Sequence, residues 1–96
     1  MKKANEMREL ANGYEERRKN KILNSNFFKV TLQDIETHIE TVAEMGELNC
    51  RFCPEMLINE FGNEYTTTEL VDWVAEVIRE FDYGVKITND KLIISW

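Results

Sequence analysis

Between Thr66 and Trp96 the hydrophobic period of the chain changes once, from helical to alternating, and that change constrains the fold more than any other feature. Leu70, Trp73, Val74, Val77, Ile78 and Phe81 recur at helical spacing, while Glu69, Asp72, Glu76 and Glu80 hold the opposite side. Thr66 with Glu69 three residues later has the form of a capping box, so a helix is predicted over 68–82. Gly84 ends this helix or kinks its exit. Val85 and Ile87 then alternate with Lys86, and Leu92, Ile94 and Trp96 alternate with Ile93 and Ser95. Asn89 and Asp90 both tolerate positive φ, so the two runs read as a hairpin. A helix with so wide an apolar face must bury it, and the apolar side of the hairpin is the surface at hand.

The upstream half supplies the other layers. Ala4, Met7, Leu10, Ala11 and Tyr14 form an apolar stripe over a helix predicted at 4–23. Arg17 and Arg18 interrupt the stripe, Ile22 and Leu23 resume it, and Gly13 weakens its middle by about 1 kcal/mol relative to Ala. A helix that is apolar along only part of its length packs on a partner or protrudes. Asn24–Asn26 reads as a break, and Phe27, Phe28 and Val30 as a short apolar stretch. Thr31 is the expected N-cap of a second helix, with Ile35, Ile39, Val42 and Met45 on one face and Gly46 as a left-handed C-cap. Leu48, Cys50 and Phe52 alternate as a short strand, Pro54 opens a short helix containing Met56, Leu57 and Phe61, and Gly62 ends it. The predicted fold is α+β: two N-terminal helices followed by β-α-α-β-β, with a small antiparallel sheet packed on one long helix. Residues 1–96 form a single domain, divided into a basic N-terminal helix at 1–26 suited to oligomerisation and an acidic α+β body at 27–96.

Charge is unevenly distributed. Residues 1–21 carry seven basic and four acidic side chains, a net of +3, and the other 75 carry five basic and fourteen acidic, a net of −9. A body that acidic repels a phosphate backbone, which argues against nucleic-acid binding outside the first helix. The cationic run Arg17, Arg18, Lys19 and Lys21 is either a solvated face or a contact for an acidic neighbour or a phosphorylated ligand. Phe27 and Phe28 follow close behind, and aromatic groups among cations suit a nucleotide-like ligand if the fold gathers them. No apolar run reaches the roughly 18–20 residues of a membrane span, and the N-terminus lacks the apolar segment of a secretory signal. A cytoplasmic location is the resulting expectation.

Motifs for chemistry are sparse. Cys50-Arg51-Phe52-Cys53 has the C-x-x-C spacing of thiol redox sites, but a thioredoxin fold needs a later cis-proline, and Pro54 is the only proline in the chain. Structural zinc takes four ligands, and two Cys with one His cannot supply them within one chain. His38, the only histidine, has no nucleophile at a recognisable motif, and the carboxylates fall at outward helical positions. No glycine-rich phosphate loop is present. These absences point away from an enzyme; no catalytic residue, metal site or cofactor is assigned. The order strand, short helix, long helix, hairpin from residue 48 imitates a winged helix, although the helix that would read DNA carries five acids and one arginine. Trp96 is either a hairpin aromatic or a stacking surface.

Phe81-Asp82-Tyr83-Gly84-Val85-Lys86-Ile87, then Leu92-Ile93-Ile94-Ser95-Trp96, resembles the tail of small phage-encoded proteins of Gram-positive hosts, and Asn5-Glu6-Met7-Arg8-Glu9-Leu10 is similar to their start. Some small phage proteins block host defence by binding a defence protein or by sequestering a nucleotide signal as an oligomer. The resemblance implies that class and transfers no site residues. The expected function is thus a non-enzymatic antagonist of bacterial immunity in the host cytoplasm, acting as a homo-oligomeric sponge for a nucleotide signal through Arg17, Arg18, Lys19, Lys21, Phe27 and Phe28. Two alternatives stand beside it: an acidic module or DNA mimic that binds a host protein, and a winged-helix-like regulator.

Overall fold

Local signals place the elements of the computed structural model, which describes residues 1–96. Its helices are α1 Ala4–Asn12, α2 Tyr14–Leu23, α3 Asn26–Glu44, α4 Glu55–Phe61 and α5 Thr67–Arg79, and its strands are β1 Asn49–Phe52, β2 Gly84–Thr88 and β3 Lys91–Ser95. The α+β architecture, helices first and hairpin last, is the one the sequence predicts. Thr66 caps α5, its hydroxyl accepting from the Glu69 amide at 3.1 Å. Gly46 ends α3 at φ +85, with Glu47 N–H donating to Val42 O and Gly46 N–H to Ala43 O, the paired bonds of a Schellman motif. Asn89 and Asp90 both take positive φ in the two-residue turn between β2 and β3.

Three expectations are corrected. The helix expected at 4–23 is divided at Gly13 into α1 and α2. The N-cap of α3 is Ser25, whose Oγ accepts from the Phe28 amide at 3.2 Å, not Thr31. Thr31 lies inside the helix, buried, its hydroxyl donating to Phe27 O at 2.7 Å, so Phe27, Phe28 and Val30 belong to the first turns of α3. Asp82, not Gly84, takes the left-handed backbone after α5, at φ +69, and Gly84 opens β2.

The three strands pair antiparallel in the order β1-β3-β2. Ile94 of the central strand is opposite Cys50 on one side and Val85 on the other, and all three are buried. This face packs under α5, whose Leu70, Val71, Val74 and Ala75 are fully buried. α3 packs on β1 and α4, closing one apolar core. No helix is long and apolar enough to cross a membrane.

Every buried residue falls between Ile22 and Ile94, and α1 buries none of its own. The Cα radius of gyration is 16.2 Å, against about 12–13 Å for a compact chain of this length. The long axis, 62 Å, is more than twice either of the others, 26 and 23 Å, because α1 projects from the body.

The Gly13 interruption makes a prediction. Gly13 has helical dihedrals, φ −82 and ψ −2, and a Cβ there would crowd the movable end of Arg17 at 2.8 Å and touch Glu9 O at an ordinary 3.5 Å. Gly13→Ala therefore adds helix propensity of about 0.5–1 kcal/mol, and hydrogen exchange of the α1 amides should slow by about two- to fivefold. Unchanged exchange would mean that Gly13 does not limit the order of α1.

Candidate functional site

α5 places Glu69, Asp72 and Glu76 along one face, with Glu80 at its C-cap, and α2 supplies cations to that face. The Arg18 guanidinium forks onto the Glu69 carboxylate at 3.0 and 3.3 Å and also reaches Glu15 at 3.2 Å. It stacks 4.7 Å above the ring of Tyr65 and lies 5.7 Å from that of Tyr14. Tyr65 is the middle of an edge-to-face aromatic series: Phe27 on Phe61 at 5.9 Å, Phe61 on Tyr65 at 6.2 Å, Tyr65 on Trp73 at 5.7 Å. Lys19 pairs with Glu76, and Lys21 with Glu64 at 3.3 Å. The hydrogen bond to Glu69 holds the Arg18 pKa above its ordinary value, aided by the charges of Glu69 and Glu15. Lys19 is raised in the same way, first by its bond to Glu76 and then by the charges of Glu76, Glu16 and Glu80. In both cases desolvation opposes the rise.

The six residues expected to hold a nucleotide are therefore dispersed. Arg18, Lys19 and Lys21 are engaged with carboxylates of their own chain. Arg17 is exposed and donates to Leu10 O at 2.8 Å, covering a carbonyl beside the Gly13 break. Phe28 is buried in the core at 2% exposure, so it offers no stacking face, while Phe27 is 39% exposed with its ring against Phe61. The positive charge of the first segment and the negative charge of the body meet each other within one molecule.

The remaining chemical candidates have quiet environments. Cys50 is buried and Cys53 half-buried. Desolvation raises both thiol pKa values, and at Cys53 Glu55 and Asp90 add to the rise while Lys91 opposes it. Thiol redox sites need the opposite shift. His38 Nε2 is 3.0 Å from Arg51 O, a contact in which that nitrogen carries the proton and donates. The Trp96 amide donates to Leu48 O at 3.1 Å, tying down the terminus while its side chain stays 37% exposed.

A groove that sequence reasoning missed lies between α3 and the end of α5. Its volume is about 410 Å³, and six of its eight lining residues are apolar. Ile35, Ile39 and Ile78 form the buried floor, with Leu32, Phe81 and Tyr83 above them. Phe81 is 69% exposed, because α5 ends at Arg79 and the chain turns at Asp82 before Phe81 can join the core. Glu36 lines the groove and begins the ridge Glu36, Glu40, Glu44, spaced one helical turn apart, exposed and in no ion pair. Periodicity gave no signal for this site, since its apolar residues sit at core-like positions in both helices. A smaller hollow of about 170 Å³ at the hairpin turn is lined by Arg51, Thr88, Asn89, Lys91 and Ile93.

Two measurements check these environments. Iodoacetamide at pH 8 should alkylate the folded protein more slowly than the urea-unfolded chain, with Cys53 reacting before Cys50; equal folded and unfolded rates would contradict their burial. Raised pKa values at Cys50, Cys53 and Lys19 mean that the folded state holds these protons more tightly than the unfolded chain. Their contribution to stability is complete below the unfolded values and is lost as pH rises through the folded ones. The melting temperature should fall as pH climbs above about 8.5, first from the thiols and then from Lys19. A melting temperature that holds to pH 11 would contradict this.

No protein-family model matches the chain, and searches of curated proteins and of solved structures return no match.

Proposed function

We propose that the chain is a non-enzymatic protein-interaction module that takes a basic amphipathic helix of its partner into the groove between α3 and the end of α5. The observation that carries this reading is an apolar groove with the unpaired carboxylate of Glu36 at its edge. Of the fourteen acidic side chains in 27–96, Glu64, Glu69 and Glu76 are in ion pairs, which leaves eleven in none. Glu36 lines the groove, and Glu40 and Glu44, also exposed and unpaired, continue its row along α3. A helix with apolar residues on one face and Lys or Arg along its flank satisfies both halves of this surface. Apolar burial supplies affinity at roughly 25 cal/mol per Å², and the carboxylates steer and orient the helix.

In the setting that the tail resemblance implies, the partner is a host defence protein and the module is a phage antagonist. The nucleotide-sponge reading has less support, because a phosphate reaching Arg18, Lys19 and Lys21 must displace Glu69, Glu76 and Glu64. DNA reading has less again: the outward face of α5 is acidic and α2 already reaches across it.

Fluorescence anisotropy with a labelled Lys/Leu amphipathic peptide tests the proposal, with a Glu/Leu peptide of the same pattern as control. The basic peptide should bind the full chain with an affinity that falls as salt rises, and Phe81→Arg should weaken it by tenfold or more. Phe81 is exposed enough for that substitution to leave the fold intact, which circular dichroism checks. Equal binding of the two peptides, or full binding by Phe81→Arg, would refute the groove. Calorimetric heat from cyclic or ADP-ribose-type nucleotides would favour the sponge instead.

A further inference from the structure

We propose that the outer face of the β-sheet binds a phosphate monoester group, seated in the hollow at the hairpin turn that Arg51, Thr88, Asn89, Lys91 and Ile93 line. This site is independent of the groove between α3 and α5, since it lies on another surface and takes a ligand of the opposite charge.

Strand alternation builds the patch. Cys50, Ile94 and Val85 are in register across the sheet and face the core. The adjacent row, Arg51, Ile93 and Lys86, is also in register and faces the other way. Half-buried Ile93 therefore has a cation beside it on each neighbouring strand. Lys91 lies two residues before Ile93 on the same face, opposite Thr88. Arg51, Lys86 and Lys91 are exposed, and none is in an ion pair. The three strands contain no acidic residue. Residues 27–96 hold five basic side chains against fourteen acidic, and three of the five are gathered here. Glu55 and Asp90 flank the strands, near enough for their charges to act on Cys53 as that of Lys91 does, but neither pairs with Lys91.

The lining of the hollow suits one compact anion. Arg51 offers a planar fork for two oxygens, Lys91 a point charge, and Thr88 and Asn89 neutral donors. Arg18, Lys19 and Lys21 must each release a carboxylate to take a phosphate, whereas Arg51 and Lys91 have none to release. At about 170 Å³ the hollow is smaller than the roughly 300–1,000 Å³ of sites that enclose a whole organic ligand, so it seats the charged group and leaves the carrier outside. Long nucleic acid fits poorly. The outward strand residues include no aromatic side chain on which bases could stack, and the −9 body repels an extended phosphate backbone.

Calorimetry on the full chain at low salt tests the site, with inorganic phosphate, a phosphoserine peptide and the unphosphorylated peptide as probes. Both phosphate-bearing probes should bind and the unphosphorylated peptide should not; tighter binding of the phosphopeptide than of free phosphate would identify a protein-borne group as the better ligand. Arg51→Gln and Lys91→Gln should each weaken binding at least tenfold. Both side chains are exposed, so the fold should survive, which circular dichroism checks. A Lys2→Gln, Lys3→Gln double variant and Phe81→Arg should bind phosphate as the unaltered chain does. No heat from either phosphate-bearing probe would overturn the proposal. So would full binding by both Arg51→Gln and Lys91→Gln, or an equal loss in the Lys2, Lys3 variant, which would mean diffuse attraction to any cation. Duplex DNA bound more tightly than the phosphopeptide, and lost with Arg51→Gln, would make the face a nucleic-acid surface and refute a single-group site.

Discussion

One guanidinium joins the basic first segment to the acidic body, beside the buried anchor Ile22. Arg18 is held by the Glu69 carboxylate in a forked contact and by the Tyr65 ring beneath it, and its side chain is 18% exposed. That geometry fixes a planar cation on both edge and face, which a single exposed contact such as Lys21 with Glu64 does not. Through it α2 is tied to α5 across 51 residues of sequence. α1, beyond the break at Gly13, buries no side chain, and its apolar stripe stays exposed.

The same contact changes the meaning of the charge distribution. A +3 segment on a −9 body suggests a cation surface waiting for an anion. In the folded chain most of that anion is the body itself, and the acid face of α5 is partly neutralised by α2. The outward face of α5 is thus partly covered by its own chain. The carboxylates left unpaired include Glu36, Glu40 and Glu44 of α3 and Glu80 and Asp82 after α5.

Short-range features were legible from the residues alone. The Thr66 cap, the Gly46 left-handed end, the Asn89-Asp90 turn and the inward Cys50 depend on a few adjacent side chains, so a linear reading suffices. Thr31 has the residue type of a cap, and only tertiary packing makes it a buried mid-helix residue while Ser25 caps α3. The candidate site failed for a different reason. Arg18 and Lys19 find partners 51 and 57 residues away, and no local pattern encodes which carboxylate a lysine will meet. The groove was hidden because Phe81 has the spacing of a core residue and is released only by the backbone turn at Asp82.

The most direct test of the central contact is a double-mutant cycle on urea unfolding with Arg18→Gln, Glu69→Gln and both together. If Arg18 and Glu69 hold α2 to α5, each single change destabilises, and the double variant loses clearly less than the two losses added, because the second change removes a partner already idle. Additive losses would show that the two side chains act independently and do not tie α2 to α5 as a pair.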